Sequence, residues 1–113
     1  MESSRLAYDA EEMQDVFPGF TLHRCSCCKG WRQFSWKGRA PTGHVIEARY
    51  PTDYPYSPLD VSVMPEVRTR HKLKGGKYLC LMEPGEWSPD FTAATNVAIA
   101  LRFLSELQEG RTE

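Results

Sequence analysis

The residues of this chain that could carry out covalent chemistry are its cysteines, which fall into two groups. Cys80 stands alone in an apolar run, YLCLM, after a Lys/Gly-rich segment and before Trp87-Ser88-Pro89. A thiol between a loop and a packed aromatic turn can be both fixed and reachable, and its thiolate is a good nucleophile. The residues alone also fit a small buried hydrophobe at this position. Cys80 is therefore the candidate nucleophile, and the rest of the chain would have to hold it in position.

The second group has the sequence HRCSCC and contains three of the cysteines. Cys25 and Cys28 have the C-x-x-C spacing of zinc and redox motifs, and His23 or Cys27 could add a third ligand. His44 is the best candidate for a fourth ligand, since no second C-x-x-C is present. On one extended strand, however, Cys25 and Cys27 would face one way and Cys28 the other. Three interpretations stay open: a zinc site with the candidates Cys25, Cys28 and His23, a redox-active pair, or ordinary strand cysteines.

Length, charge and composition limit the possible functions. The chain has 113 residues, of which 41% are hydrophobic, and this predicts one domain over residues 1–113 with a small core. A net charge of −1 gives no field that would attract nucleic acid or an anionic membrane. No apolar stretch approaches the roughly 20 residues of a membrane span, and the acidic N-terminus is unlike a signal peptide. We therefore expect a cytoplasmic protein with cysteines that are not structural disulfides.

Two amphipathic helices are predicted, one near each end of the chain. The first covers residues 4–17, where apolar residues recur at helical spacing from Leu6 to Phe17 before a Pro-Gly stop. The second is capped by Thr92 or Thr95 and carries an apolar stripe that ends before Gly110. Each helix has one face suited to packing on a sheet.

Between the helices the sequence changes to the alternating pattern of strands. Two extended runs fall between residues 20 and 39, a third at 44–50 and a fourth at 59–64. Residues 50–58, YPTDYPYSP, contain three prolines and three tyrosines. Such a segment cannot form the interior of a sheet, so we expect a rigid connection packed by its aromatic rings. The order of helix, antiparallel meander, cysteine loop and helix predicts an α+β domain.

The order of several short motifs resembles the ubiquitin-conjugating enzyme family. Over residues 5 to 108 these motifs are Gly30-Trp31, the connection at 50–58, His71, the segment GKYLCL around Cys80, the turn Trp87-Ser88-Pro89, and Thr92. The resemblance implies the fold of that family, with an N-terminal helix, a four-stranded antiparallel meander, an active-site loop and a C-terminal helix. We expect this domain to lack the two helices that usually end the family's fold.

The resemblance also implies a reaction, which is acyl transfer through a thioester and requires no cofactor. Cys80 would be the nucleophile that accepts the C-terminal carboxyl group of a protein, and an amine, usually that of a lysine, would then displace it. His71 would stabilise the oxyanion or support the loop. Asp90 is a further candidate, for orienting the amine, and Glu86 is a second candidate for that role.

One departure from the family concerns the transfer step. The Pro-Asn that follows the family's histidine is replaced here by Lys72-Leu73, so the asparagine implied to support transfer is missing. This departure keeps an alternative open: a catalytically weak or inactive conjugating-enzyme-like module that binds partner proteins.

The compact form resembles bacterial members of the family that are encoded in antiphage gene cassettes, including the CBASS type. This implies a protein C-terminus as cargo, from a cGAS-like nucleotidyltransferase or a ubiquitin-like protein, and no nucleic acid or membrane partner. Whether a separate activating enzyme charges Cys80 stays open at the level of sequence.

Overall fold

Two helices and two antiparallel sheets make up the described part of the computed structural model, which comprises residues 3–67, 72–73, 78–82 and 85–110. In chain order the elements are α1 (Ser3–Val16), β1 (Thr21–Arg24), a 3-10 turn (Gly30–Gln33), β2 (Phe34–Arg39), β3 (Val45–Arg49), β4 (Asp60–Met64), β5 (Lys72–Leu73), β6 (Tyr78–Leu79) and α2 (Ala93–Gln108). An N-terminal helix, a four-stranded antiparallel sheet and a C-terminal helix confirm the predicted α+β class.

The first helix ends where the sequence predicts, because Pro18 cannot continue it. Met13 is fully buried, and Leu6 and Ala10 pack on the same core, so the predicted apolar stripe faces the sheet. Asp9 lies within that stripe and is also fully buried. A carboxyl group in this position needs polar partners.

The main sheet is a meander in which each strand pairs with its sequence neighbours, in the order β1-β2-β3-β4. Trp36 is opposite Ala48, and Ala48 is opposite Val61, so these three buried residues form one row across the sheet. Ile46 and Val63 extend the buried face in the next row. The alternation of buried and more exposed residues along β3 and β4 is the pattern expected of a sheet that is covered on one side.

The second helix is fixed to the sheet at its first turn. Thr92 is the N-cap: its hydroxyl accepts a hydrogen bond from the Thr95 backbone N–H at 3.3 Å, and the Thr95 hydroxyl accepts from the Thr92 N–H. This reciprocal pair satisfies donors that the first turn leaves free. The side-chain oxygen of Asn96 accepts from the backbone N–H of Leu59 at 2.8 Å, which ties α2 to the start of β4. Within the described ranges, no helix is long and apolar enough to cross a membrane.

Gly38 on β2 allows a close approach between the sheet and Phe20, which follows α1. A Cβ atom at this position would come within 2.5 Å of the Phe20 ring carbon Cγ, and Phe20 is buried. We expect Gly38→Ala to lower the free energy of unfolding by about 1–3 kcal/mol. This cost outweighs the roughly 0.5–1 kcal/mol by which alanine is otherwise preferred to glycine in a strand. Urea-induced unfolding measures the change.

Gly19 provides the matched control, since a Cβ atom there would have no heavy atom within 4 Å. Gly19→Ala should leave the free energy of unfolding unchanged or slightly raised. Equal stability of the Gly38→Ala variant and the unchanged protein would show that Phe20 moves aside without cost.

Candidate functional site

Cys80 immediately follows β6 and lies at the boundary between the core and solvent. Tyr78 and Leu79 of β6 are buried, whereas Cys80, Leu81 and Met82 are partly exposed. The Cys80 sulfur is 3.7 Å from the backbone carbonyl of Met82, to which its S–H donates. The buried strand therefore fixes the backbone at Cys80, and its thiol stays reachable.

Strand β6 is held by a cation as well as by burial. The guanidinium of Arg32, in the 3-10 turn, forms an ion pair with Asp60 at 2.6 Å and donates to the Tyr78 hydroxyl at 3.4 Å. Since Asp60 begins β4, Arg32 connects the main sheet to the strand that precedes Cys80. In addition, β6 pairs with β5 in a two-stranded sheet, with Leu79 opposite Lys72.

The Tyr-Pro connection and the Trp-Ser-Pro turn contact each other directly. The indole N–H of Trp87 donates to the backbone carbonyl of Pro55 at 2.8 Å. The Trp87 ring also lies 6.5 Å from the Tyr54 ring and 5.4 Å from the Phe91 ring, centroid to centroid. Trp87 therefore joins two segments that the sequence treats as separate motifs.

Arg5 of α1 holds the same turn from the other side. Its guanidinium donates to the backbone carbonyl of Pro89 at 3.0 Å, to that of Phe91, and to the Tyr54 hydroxyl at 3.2 Å. It also lies over the Tyr54 ring, 5.2 Å from the centroid. Arg5 could not be singled out from the sequence, because a basic residue near a helix start is usually exposed to solvent.

Below Arg5 lies a buried polar cluster centred on Asp9. One Asp9 carboxylate oxygen accepts from the Tyr50 hydroxyl at 2.9 Å and from the Tyr54 hydroxyl at 2.6 Å. Trp36 in turn donates its indole N–H to the Tyr50 oxygen at 3.0 Å. Burial raises the pKa of the Asp9 carboxyl, and the hydrogen bonds from the two tyrosines and the charge of Arg5 oppose this rise without cancelling it. Sequence reasoning missed Asp9, although an aspartate inside an apolar stripe is a usable signal.

The structure gives no hydrogen bond between Cys80 and the other predicted site residues among those it describes. His71 lies outside the described residues. Asp90 is exposed in the turn after Trp87, where its backbone N–H donates to the Ser88 hydroxyl at 3.2 Å. Glu86 is exposed as well. Among the described residues, no hydrogen bond joins Asp90 to Cys80, so the proposed role of Asp90 with an incoming amine stays a prediction.

The second cysteine group lies in a turn, so the prediction of an extended strand through Cys28 is wrong. Strand β1 ends at Arg24, and residues 25–28 reverse the chain toward the 3-10 turn. The Cys25 N–H donates to the Gln33 carbonyl at 2.7 Å, and the Cys28 N–H is 3.5 Å from the Cys25 carbonyl. A chain that must pair β1 with β2 within a few residues has to turn here.

The turn brings three sulfur atoms together. Those of Cys25, Cys27 and Cys28 all lie within 4.8 Å of one another, and the Cys25–Cys27 separation is 2.9 Å. A metal site was disfavoured because a strand would place Cys28 on the opposite face from Cys25 and Cys27, and this argument does not apply to a turn. His23 instead bonds the Thr21 hydroxyl at 2.8 Å, and His44 bonds the Thr42 hydroxyl at 2.6 Å. In the described ranges, neither histidine belongs to the sulfur cluster.

Hydrogen bonding makes the clustered thiols unequal. The Cys25 sulfur accepts from the Cys27 thiol, and hydrogen bonding within the turn, this bond above all, lowers the pKa of Cys25 to about 7. The pKa of the Cys27 thiol rises to about 11, because ionisation would remove its hydrogen bonds and place a second negative charge beside the first. Of these two thiols, Cys25 is the one that ionises first.

The rate at which an alkylating reagent modifies Cys25 should follow this low pKa. Since only the thiolate reacts, we expect the rate in reduced, metal-free protein to rise with pH and reach half its plateau near pH 7. An ordinary thiol reaches that point near pH 8.5. Mass spectrometry of Cys25 peptides after timed alkylation at each pH gives the profile.

Cys27→Ala is the informative variant, because it removes the thiol that donates to the Cys25 sulfur. Its half-plateau pH should be higher than that of the unchanged protein. A profile centred at pH 8.5 or above in the unchanged protein contradicts the assigned hydrogen bonds.

No protein-family model matches this chain, and no match to it was found among curated protein sequences.

Proposed function

We propose that this protein is a ubiquitin-conjugating-enzyme-like acyl carrier in which Cys80 forms a thioester with the C-terminus of another protein. The observation that carries the proposal is the position of Cys80, partly exposed at the end of a buried strand. The resembling motifs around it supply further support, since the Tyr-Pro connection and the Trp-Ser-Pro turn contact each other through Trp87 and Pro55. The order of helix, meander, cysteine and helix is compatible with the fold of that family.

The first chemical step requires a cargo whose C-terminal carboxyl group is already activated, as an acyl adenylate or a thioester. The Cys80 thiolate attacks that carbonyl carbon, a C–S bond forms, and the adenylate or thiolate leaves with its electron pair. No oxidation or reduction occurs. Because Cys80 is partly exposed, a carbonyl at the end of an extended C-terminal tail can reach it without opening of the core.

In the second step an amine attacks the thioester carbonyl and Cys80 leaves as a thiolate. The amine loses one proton to solvent or to a nearby carboxylate, for which Asp90 is our candidate. A thioester is already reactive, so this step needs mainly positioning of the amine and stabilisation of the oxyanion. We assign the latter to His71 and to backbone N–H groups near Cys80.

The cargo that we propose is the C-terminus of a cGAS-like nucleotidyltransferase or of a ubiquitin-like protein, in bacterial antiphage defence. This part rests on the resemblance of the compact sequence to members encoded in such cassettes. The acceptor amine and any activating enzyme follow from the identity of that cargo.

An adduct-trapping experiment tests the role of Cys80. The tagged protein is expressed in the organism that encodes it and purified without reductant, and adducts are identified by mass spectrometry. The unchanged protein should carry a thiol-sensitive adduct on the peptide that contains Cys80. Cys80→Ser should retain it as an ester that resists thiols, because an ester is less reactive than a thioester.

Cys80→Ala should carry no adduct, and Cys28→Ala, the matched control at another partly exposed cysteine, should be charged normally. The same adduct on Cys80→Ala would rule out Cys80 as the carrier. Absence of any adduct from both the unchanged protein and Cys80→Ser would favour the alternative, a binding module that keeps the fold without the reaction.

A further inference from the structure

We propose that Cys25, Cys27 and Cys28 form a binding site for a soft metal ion, held by three thiolates, and that Cu(I) is the ion it fits best. The site is separate from Cys80 in sequence and does not depend on the function proposed above. The three sulfur atoms lie within 4.8 Å of one another. Metal–sulfur bonds of about 2.3 Å place three sulfurs in a plane around one ion about 4 Å apart. The Cys25 and Cys27 sulfurs, 2.9 Å apart, are closer than this and have to move apart on binding.

The backbone of the turn is fixed without a metal. The Cys25 N–H bonds the Gln33 carbonyl at 2.7 Å, and the Arg24 side chain bonds the Gln33 side chain at 2.7 Å. Gln33 therefore holds the entrance of the turn through both its backbone and its side chain.

The donor set argues for a soft ion of low coordination number. Thiolates select soft ions such as Cu(I), zinc and iron–sulfur clusters over hard cations. Structural zinc is almost always bound by four protein ligands. Within the described ranges, the cluster contains three cysteines and no histidine or carboxylate, and both His23 and His44 are hydrogen-bonded to threonines. Cu(I), which accepts three thiolates, matches this set better than zinc.

The location of the cluster permits exchange of the ion with small thiols. Cys27 is exposed, and Cys25 and Cys28 are partly exposed. Binding forms three metal–sulfur bonds and releases the protons of those thiols that were not ionised, while copper stays in the +1 state. The ion comes from a Cu(I)–thiolate complex of the cell, whose copper–sulfur bonds break. The released thiolates take up the protons that the cysteines lose, so the exchange needs no oxidant or reductant.

The test uses full-length, reduced, metal-free protein and Cu(I) supplied anaerobically as its acetonitrile complex. We expect one Cu(I) per chain by native mass spectrometry and a thiolate-to-copper charge-transfer band in the ultraviolet. Competition with a chromogenic Cu(I) chelator gives the affinity. Cys25→Ser, Cys27→Ser and Cys28→Ser should each weaken binding by about 10-fold or more, since each removes one of three soft ligands. Cys80→Ser is the matched control and should bind Cu(I) as the unchanged protein does.

Several results would overturn the proposal. Binding that survives simultaneous replacement of Cys25, Cys27 and Cys28 by serine would place the copper elsewhere. Tighter binding of Zn(II) than of Cu(I) would reject the three-coordinate assignment. A disulfide within the cluster, in protein isolated in a thiol buffer, would instead identify a redox pair. Circular dichroism of each serine variant shows whether the fold is kept, so a loss of binding can be assigned to the missing sulfur.

Discussion

Replacing Asp9 by alanine should lower the free energy of unfolding by about 3 kcal/mol, measured by urea-induced unfolding at pH 7. The carboxylate accepts from the hydroxyls of Tyr50 and Tyr54, and all of this lies in the core. Without Asp9 both hydroxyl protons lose their acceptor, at a cost of about 1–3 kcal/mol for each buried group. The Arg5 guanidinium, 3.5 Å from the other carboxylate oxygen, loses its counter-charge as well. Relief of the buried charge offsets part of this loss.

The pH dependence of stability provides a second test of the same cluster. Since burial raises the pKa of Asp9 in the folded state, the folded protein holds this proton more tightly than the unfolded chain does. The resulting stabilisation is fully present below the unfolded pKa of about 4 and is lost as pH rises through the folded pKa. Asp9→Asn does not titrate at this position and cannot show that loss.

The comparison of the unchanged protein with Asp9→Asn isolates this effect, because the titration of every other carboxyl group cancels. The stability of the unchanged protein relative to the variant should fall as pH rises from 4 toward 7. Tyr56→Phe, at an exposed tyrosine of the same connection, keeps Asp9. The stability difference between the unchanged protein and Tyr56→Phe should therefore stay constant with pH. A relative stability that rises with pH would mean that Asp9 has a lowered pKa in the folded protein.

Much of the fold can be predicted from the sequence because its signals are local. The Thr92 cap, the Pro18 stop and the alternation in β3 and β4 each involve residues within a few positions of one another. The placement of Cys80 is partly local too, since its exposure follows from the end of a two-residue buried strand.

The features that sequence reasoning missed depend on distant partners. Asp9 is 41 residues from Tyr50 and 45 from Tyr54, and Arg5 is 84 residues from Pro89. Helical periodicity identifies an apolar stripe but does not reveal that tyrosine hydroxyls meet a carboxylate inside it. The prediction of a strand through Cys28 was wrong for a related reason: alternation along the chain continues past Arg24, whereas the hydrogen bond of the turn joins Cys25 to Gln33, eight residues away.

Removal of Trp87 should affect both stability and the chemistry proposed for Cys80. Trp87→Ala loses the hydrogen bond to the Pro55 carbonyl and the ring contacts with Tyr54 and Phe91. Replacing a fully buried large aromatic side chain by alanine lowers the free energy of unfolding by about 3–5 kcal/mol. Trp87 is only partly buried, so we expect a loss of about 2–3 kcal/mol in the free energy of unfolding. Trp87→Phe keeps a ring but loses the N–H donor, and it should cost about 1 kcal/mol.

In Trp87→Ala, formation of the thioester adduct on Cys80 should be slowed more than the reaction of Cys80 with small reagents. Trp87 fixes the turn that follows Cys80 in the chain, so Trp87→Ala should slow formation of the Cys80 adduct by about 10-fold or more, because small misplacements are costly in acyl transfer. Alkylation of Cys80 by a small reagent, which needs no such positioning, should be no slower than in the unchanged protein. Tyr56→Ala, which removes a 74% exposed ring from the neighbouring connection, is the control and should change neither rate.

The two rates together distinguish positioning from loss of structure. Global unfolding of Trp87→Ala would accelerate alkylation of Cys80 and would also move the pH profile of Cys25 alkylation up to that of an ordinary thiol, whereas displacement of the turn alone would leave the Cys25 profile unchanged. Equal charging of Trp87→Ala and the unchanged protein would show that contact between the Trp-Ser-Pro turn and the Tyr-Pro connection is dispensable for the reaction. The resemblance of these two motifs to the conjugating enzymes would then concern the fold and not the positioning of the cargo, because the contact that joins them here depends on Trp87.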